Sequence, residues 1–140
     1  MLEAIIEKYF EPFDQSLIRH LDYKGDLQTS LRNIFQYFLD FSQQNTQFFR
    51  LWMTTRLAPN QSIPYKVIFP YTQKHQNAFI QFFQQVSKQH GNMRRHELII
   101  TNSFLGFLFS YVSMVLQDEV EMDQTQINRA IHQFMHGIFS

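Results

Sequence analysis

The chain has 140 residues, enough for one domain with a core of its own. Lys plus Arg and Asp plus Glu number 12 each, so the net charge is zero; with no basic run beyond Arg94-Arg95, nothing favours direct binding to nucleic acid or to an anionic membrane. Cysteine is absent, which excludes disulfides, thiolate metal sites and thiol nucleophiles together.

The apolar spacing is helical almost throughout, punctuated by 4 glycines and 4 prolines. A first helix is predicted over residues 2–21, with Leu2, Ile5, Ile6, Tyr9, Phe10, Phe13, Leu17 and Leu21 on one stripe and a bend at Pro12. Gly25 suits its stop, and Asp26 suits the N-cap of a second helix. That helix runs to residue 44 with Leu27, Leu31, Ile34, Phe35, Phe38 and Leu39 inward. A short third helix over 46–57 carries Phe48, Phe49, Trp52 and Met53. A long fourth helix over 63–90 has Pro64 in its first turn, a bend at Pro70 and a close at Gly91. Its inward stripe is Ile68, Thr72, His75, Phe79, Phe82, Phe83 and Val86. The fifth helix covers 94–117. The sixth covers 124–139, with Asp123 and Gln126 spaced as a capping box. The fold class expected is all-α, an antiparallel helical bundle in a single domain.

The fifth helix carries two apolar stripes, Leu98, Leu105, Phe109, Val112 and Leu116 on one side and Ile100, Phe104, Phe107, Tyr111 and Met114 on the other. Their centres lie on the order of 150° apart, whereas a helix on the outside of a monomer needs one apolar face. Either its own chain surrounds this helix, or one stripe meets the core and the other a partner. The sixth helix tips the balance to a partner, because Ile127, Ala130, Ile131, Phe134 and Ile138 form a second apolar stripe beside it. Small residues Gly106, Ser110, Ser113, Ala130 and Gly137 would let helices approach closely. The expected assembly is a homodimer whose last two helices form an intermolecular four-helix bundle. Its interface would hold Leu98, Asn102, Leu105, Phe109, Val112, Leu116, Ile127, Ile131, Phe134 and Ile138.

The first residues, Met1 to Glu7, lack the basic start and apolar core of a signal peptide. The longest apolar-rich stretch, 98–116, is interrupted by Thr101, Asn102, Ser103, Ser110 and Ser113, short of the roughly 18 unbroken residues of a bilayer span. The expected location is the cytoplasm, with no membrane partner.

Helix order and length resemble the C-terminal regulatory domain of TetR-type transcriptional regulators. Ser103-Phe104-Leu105-Gly106-Phe107-Leu108 looks like that family's penultimate helix, and Phe134-Met135-His136-Gly137-Ile138 like its terminal one. Asn45-Thr46-Gln47-Phe48-Phe49-Arg50-Leu51 resembles the start of its short central helix, and Leu2-Glu3-Ala4-Ile5-Ile6 the helix that follows its DNA-binding head. The resemblance implies a dimer that binds a small effector. It also implies that DNA is bound only through an N-terminal helix-turn-helix domain missing from these residues.

The 16 phenylalanines predict an aromatic-rich interior, either solid core or a cavity lined by ring faces. A small hydrophobic effector would lie against Phe38, Phe49, Trp52, Met53, Phe79, Phe83, Phe104, Phe107 and Tyr111. His75, on the apolar stripe, is either a hydrogen-bonded core histidine or a contact to that ligand. Asn102, at a polar gap, suits an interface or core hydrogen bond. Arg56 could anchor an anion, but solvated surface is the simpler expectation. His132 and His136 share a helix face but lack a third ligand at helical spacing, so no metal is expected. No phosphate loop, nucleophile elbow or buried carboxylate pair is legible, so neither enzyme activity nor a cofactor is expected. The competing reading is a helical protein-interaction module without a small-molecule site.

Overall fold

The computed structural model describes the backbone of residues 1–139 and the side chains of residues 1–137. It is all-α. Among the described residues there are six helices: α1 Leu2–His20, α2 Leu27–Gln44, α3 Thr46–Arg56, α4 Ile63–Ser87, α5 Glu97–Leu116 and α6 Gln124–Phe139.

Local chemistry sets most boundaries. Gly25 has φ +95°, in the left-handed region a side chain disfavours, and separates α1 from α2. Asp26 caps α2, its carboxylate accepting from Thr29 N and Thr29 Oγ1. Ser62 caps α4 by accepting from Tyr65 N at 3.3 Å, and Asp123 caps α6 by accepting from Gln126 N at 2.8 Å. Both α1 and α4 continue unbroken through Pro12 and Pro70.

Between α4 and α5 the expected boundaries shift inward. A 3₁₀ turn, Gly91–Met93, follows α4, and Arg95 sits at φ 69°. A left-handed residue cannot continue a right-handed helix, so α5 starts at Glu97 rather than at 94. Asp118, at φ 57°, stops it at the other end; the short polar side chain of Asp tolerates that conformation.

Phe10, Phe13, Phe35, Phe38, Phe49, Phe79, Phe82, Phe83 and Phe104 are all fully buried. Each removes apolar area worth about 1.5–3 kcal/mol. Their rings meet mostly edge-on or tilted, as between Phe10 and Trp52 at 4.8 Å and between Phe82 and Phe83 at 5.1 Å.

The last two helices both pack on the rest of the chain. α5 packs against α4 and α2, whereas α6 lies chiefly on α2. It reaches α5 through Phe134, whose ring sits 5.2 Å from Phe104 and 5.5 Å from Phe107. By length and mean hydropathy, 1.7, α5 would be able to cross a bilayer despite its polar interruptions. Its inward arc, Ile100, Thr101, Phe104, Leu105, Leu108 and Val112, is nonetheless buried by its own chain.

Candidate functional site

Four helices converge beside Trp52 and leave a cavity of about 30 Å³. α2 contributes Phe38; α3 contributes Trp52 and Arg56; α4 contributes Thr72, His75 and Gln76; α5 contributes Asn102, Leu105 and Phe109. That volume suits one water rather than the few hundred Å³ a drug-sized ligand fills.

Of the ten residues expected to line a ligand site, Phe38, Trp52 and His75 do so. Phe79, Phe83 and Phe104 are sealed in solid core at 0% exposure. Phe107 and Tyr111 pack on Phe35, on the far side of α5. Phe49 and Met53 border a different, open groove with Arg50, Thr54, Ser113, Leu116 and Gln117. Ring planes fill space by tilting against one another, so the phenylalanine cluster closes instead of enclosing a void.

The polar wall is more specific. Asp14 and His75 are buried at 5% and 6% exposure, in contact across α1 and α4. An ionised carboxylate only accepts, so His75 Nε2–H donates to Asp14 Oδ1 at 2.6 Å. Lys74 Nζ reaches Asp14 Oδ2 at 3.0 Å from the surface. Burial pushes the Asp14 carboxyl up, but hydrogen bonds and charge from His75, then Lys74, outweigh it and leave its pKa below the ordinary value. His75 is the hydrogen-bonded core histidine of the first alternative, and it also borders the cavity.

Asp14 was not foreseen as a buried group. It completes the i, i+3, i+4, i+7 set of Phe10, Phe13, Asp14 and Leu17, a signal present in the sequence. His75 and Asp14 also form the inner wall of an open groove of about 600 Å³ between α1 and α4, flanked by Ile18 and Pro70.

Arg56 is not solvated surface. Its guanidinium lies 4.4 Å from the Phe109 ring centroid, at the cavity, and burial lowers its pKa. Among the described residues no carboxylate lies within ion-pair distance of it. Beside it Gln76 Nε2 donates to Asn102 Oδ1 at 2.9 Å, tying α4 to α5 across the rim. Gln76 was not foreseen, because it lies off the apolar stripe and nothing else marks it.

The expected dimer interface divides. Leu105, Val112, Ile127 and Ile131 are buried inside the chain and are not free to meet a partner. They cover α2 and α4 because those helices also need an apolar lid. Phe109, Leu116 and Phe134 are half-buried. Leu98 is 53% exposed, and Asn102 is exposed. The side chain of Ile138 lies outside the described residues. The outward line of α5 is instead Ile99, Asn102, Ser103, Gly106, Ser110 and Ser113, all exposed. His132 and His136 face each other on α6, with Nε2 atoms 2.8 Å apart and exposed to solvent. Among the described residues no group of three or more acidic or His side chains stands together to hold a metal ion.

No protein-family model, no curated protein and no solved structure matches the chain.

Proposed function

We propose that this chain is the sensing and pairing domain of a TetR-type transcriptional regulator, with DNA binding supplied by a helix-turn-helix head outside these residues. The observation that carries the reading is α5. It is the most apolar helix, yet only 33% of its most apolar 18-residue window is buried by its own chain. The middle of its uncovered line, Ser103, Gly106, Ser110 and Ser113, is built of small residues, and a Cβ added at Gly106 meets nothing within 4 Å. At its start Ile99, 66% exposed, and the neighbouring Leu98 add apolar side chains. A second copy of α5 across a twofold axis would cover it. The apolar face of α6 is already occupied, and its outward residues Arg129, His132, Gln133 and His136 would form a polar rim.

The sensing half of the reading rests on His75, which touches both the cavity and α1. A ligand that prefers one placement of His75 shifts Asp14, and with it α1, by its difference in affinity for the two placements. α1 is the helix that would join the head.

Sedimentation velocity tests the pairing. The wild type is expected at twice 16.9 kDa, and Gly106→Trp at the monomer mass with unchanged helicity. A wild type that stays monomeric at millimolar concentration removes the regulator reading. The small cavity favours the second reading, a helical module that uses the α5 face to hold a different protein and takes no small molecule.

A further inference from the structure

We infer that the cavity beside Trp52 takes a small organic monocarboxylate, its acid group held by Arg56 and its apolar part against Trp52 and Phe109. This rests on the sensing reading and names the chemical class of the effector.

The charge argument comes first. Asp14, the carboxylate held inside the bundle, is matched by His75 and Lys74. Arg56 is half-buried and has no carboxylate within ion-pair distance among the described residues. A desolvated cation without a counter-charge is unfavourable unless an anion completes it. The stacking on Phe109 uses the face of the guanidinium and leaves its in-plane N–H donors for a carboxylate fork.

The rest of the lining narrows the class. Arg56 is the only Lys or Arg on the cavity wall, so one negative charge is matched and a second is not. A phosphate dianion therefore fits worse than a carboxylate. A cationic ligand meets repulsion, and a neutral one would bury Arg56 further with no partner. Trp52, Phe109, Phe38 and Leu105 supply an apolar wall for a ring or a short alkyl chain.

The room inside, about 30 Å³, is too small for such a tail. Binding therefore requires the Gln76–Asn102 hydrogen bond to open and α4 to part from α5. The freed amides then face the bound molecule. A site that must open to be filled couples occupancy to helix placement, which is what a sensor requires.

Trp52 is the only tryptophan and lines the cavity, so its fluorescence reports occupancy directly. The probes are benzoate and hexanoate, each beside its neutral counterpart, benzamide and hexanamide. The expected result is a saturable change in emission with a carboxylate, at least about tenfold tighter than with the matching amide. Arg56→Gln is expected to bring the two to parity, and Arg56→Lys to keep part of the preference. If amide and acid bind wild type equally, or if Arg56→Gln leaves carboxylate affinity unchanged with helicity intact, the carboxylate inference is overturned while the cavity stands as a ligand site. If none of the four probes perturbs Trp52, both the inference and the sensing role of this cavity are overturned. Should Arg56→Gln fail to fold, the acid-to-amide contrast in wild type still decides.

Discussion

At the residue scale the informative groups are the polar ones inside the bundle. Asp14 and His75 hold α1 to α4 through one short hydrogen bond, with Lys74 adding charge from the rim. Replacing Asp14 by Asn leaves His75 buried with a weaker partner. The expected loss in urea unfolding is about 3 kcal/mol, the scale for breaking one side of a buried pair. The sign with pH follows from the lowered pKa of Asp14. The stabilisation is fully present above the unfolded carboxyl value, about 4. It disappears as the pH falls through the lower folded value, so the gap between wild type and Asp14→Asn should close in acid. Thr101 behaves in the opposite way. Its Oγ1 is buried with no hydrogen-bond partner among the described residues. Thr101→Val keeps the shape and removes the unsatisfied group, so thermal unfolding should show a gain of about 1 kcal/mol.

At the scale of elements, α5 decides the most. Its apolar residues surround the axis, so periodicity left its orientation open between a helix wrapped by its own chain and one shared with a partner. The structure takes the inward arc for α2 and α4 and leaves the small residues outside. This separates two effects of one substitution. Gly106→Ala adds a methyl where nothing stands within 4 Å, and alanine is the better helix former by about 1 kcal/mol. In dilute solution, where any pair dissociates, the variant should be more stable by up to that amount in urea unfolding. At high concentration it should pair more weakly than wild type in sedimentation. The sixth helix was legible in extent, since Asp123 and the Ile127, Ile131 spacing define it locally. Its docking on α2 was not, because an apolar stripe states how much surface needs cover and not which neighbour provides it.

Over the whole molecule, the aromatic residues account for the solidity of the core. Nine phenylalanines at or near zero exposure interlock across α1 to α5. Phe83, expected at a ligand, is instead fully enclosed next to Phe82 and Phe104. Phe83→Ala should therefore cost about 3–5 kcal/mol in chemical denaturation and leave Trp52 titrations with benzoate unchanged in the folded fraction. A loss of probe affinity without loss of stability would place Phe83 at the site after all.

The sequence by itself determined the helical class, the six elements and two of the N-caps, because those depend on neighbours within four residues: Gly25 at a left-handed turn, Asp26 and Asp123 at N-caps. Only the tertiary structure decided which arc of α5 is spent on the core, that Asp14 joins His75, and that Arg56 stands at a small cavity while most phenylalanines close on one another. Helical periodicity gives the angle of each side chain about its own axis. It says nothing of how the axes lie against each other, and the pairing of charges and the closing of rings are properties of that arrangement.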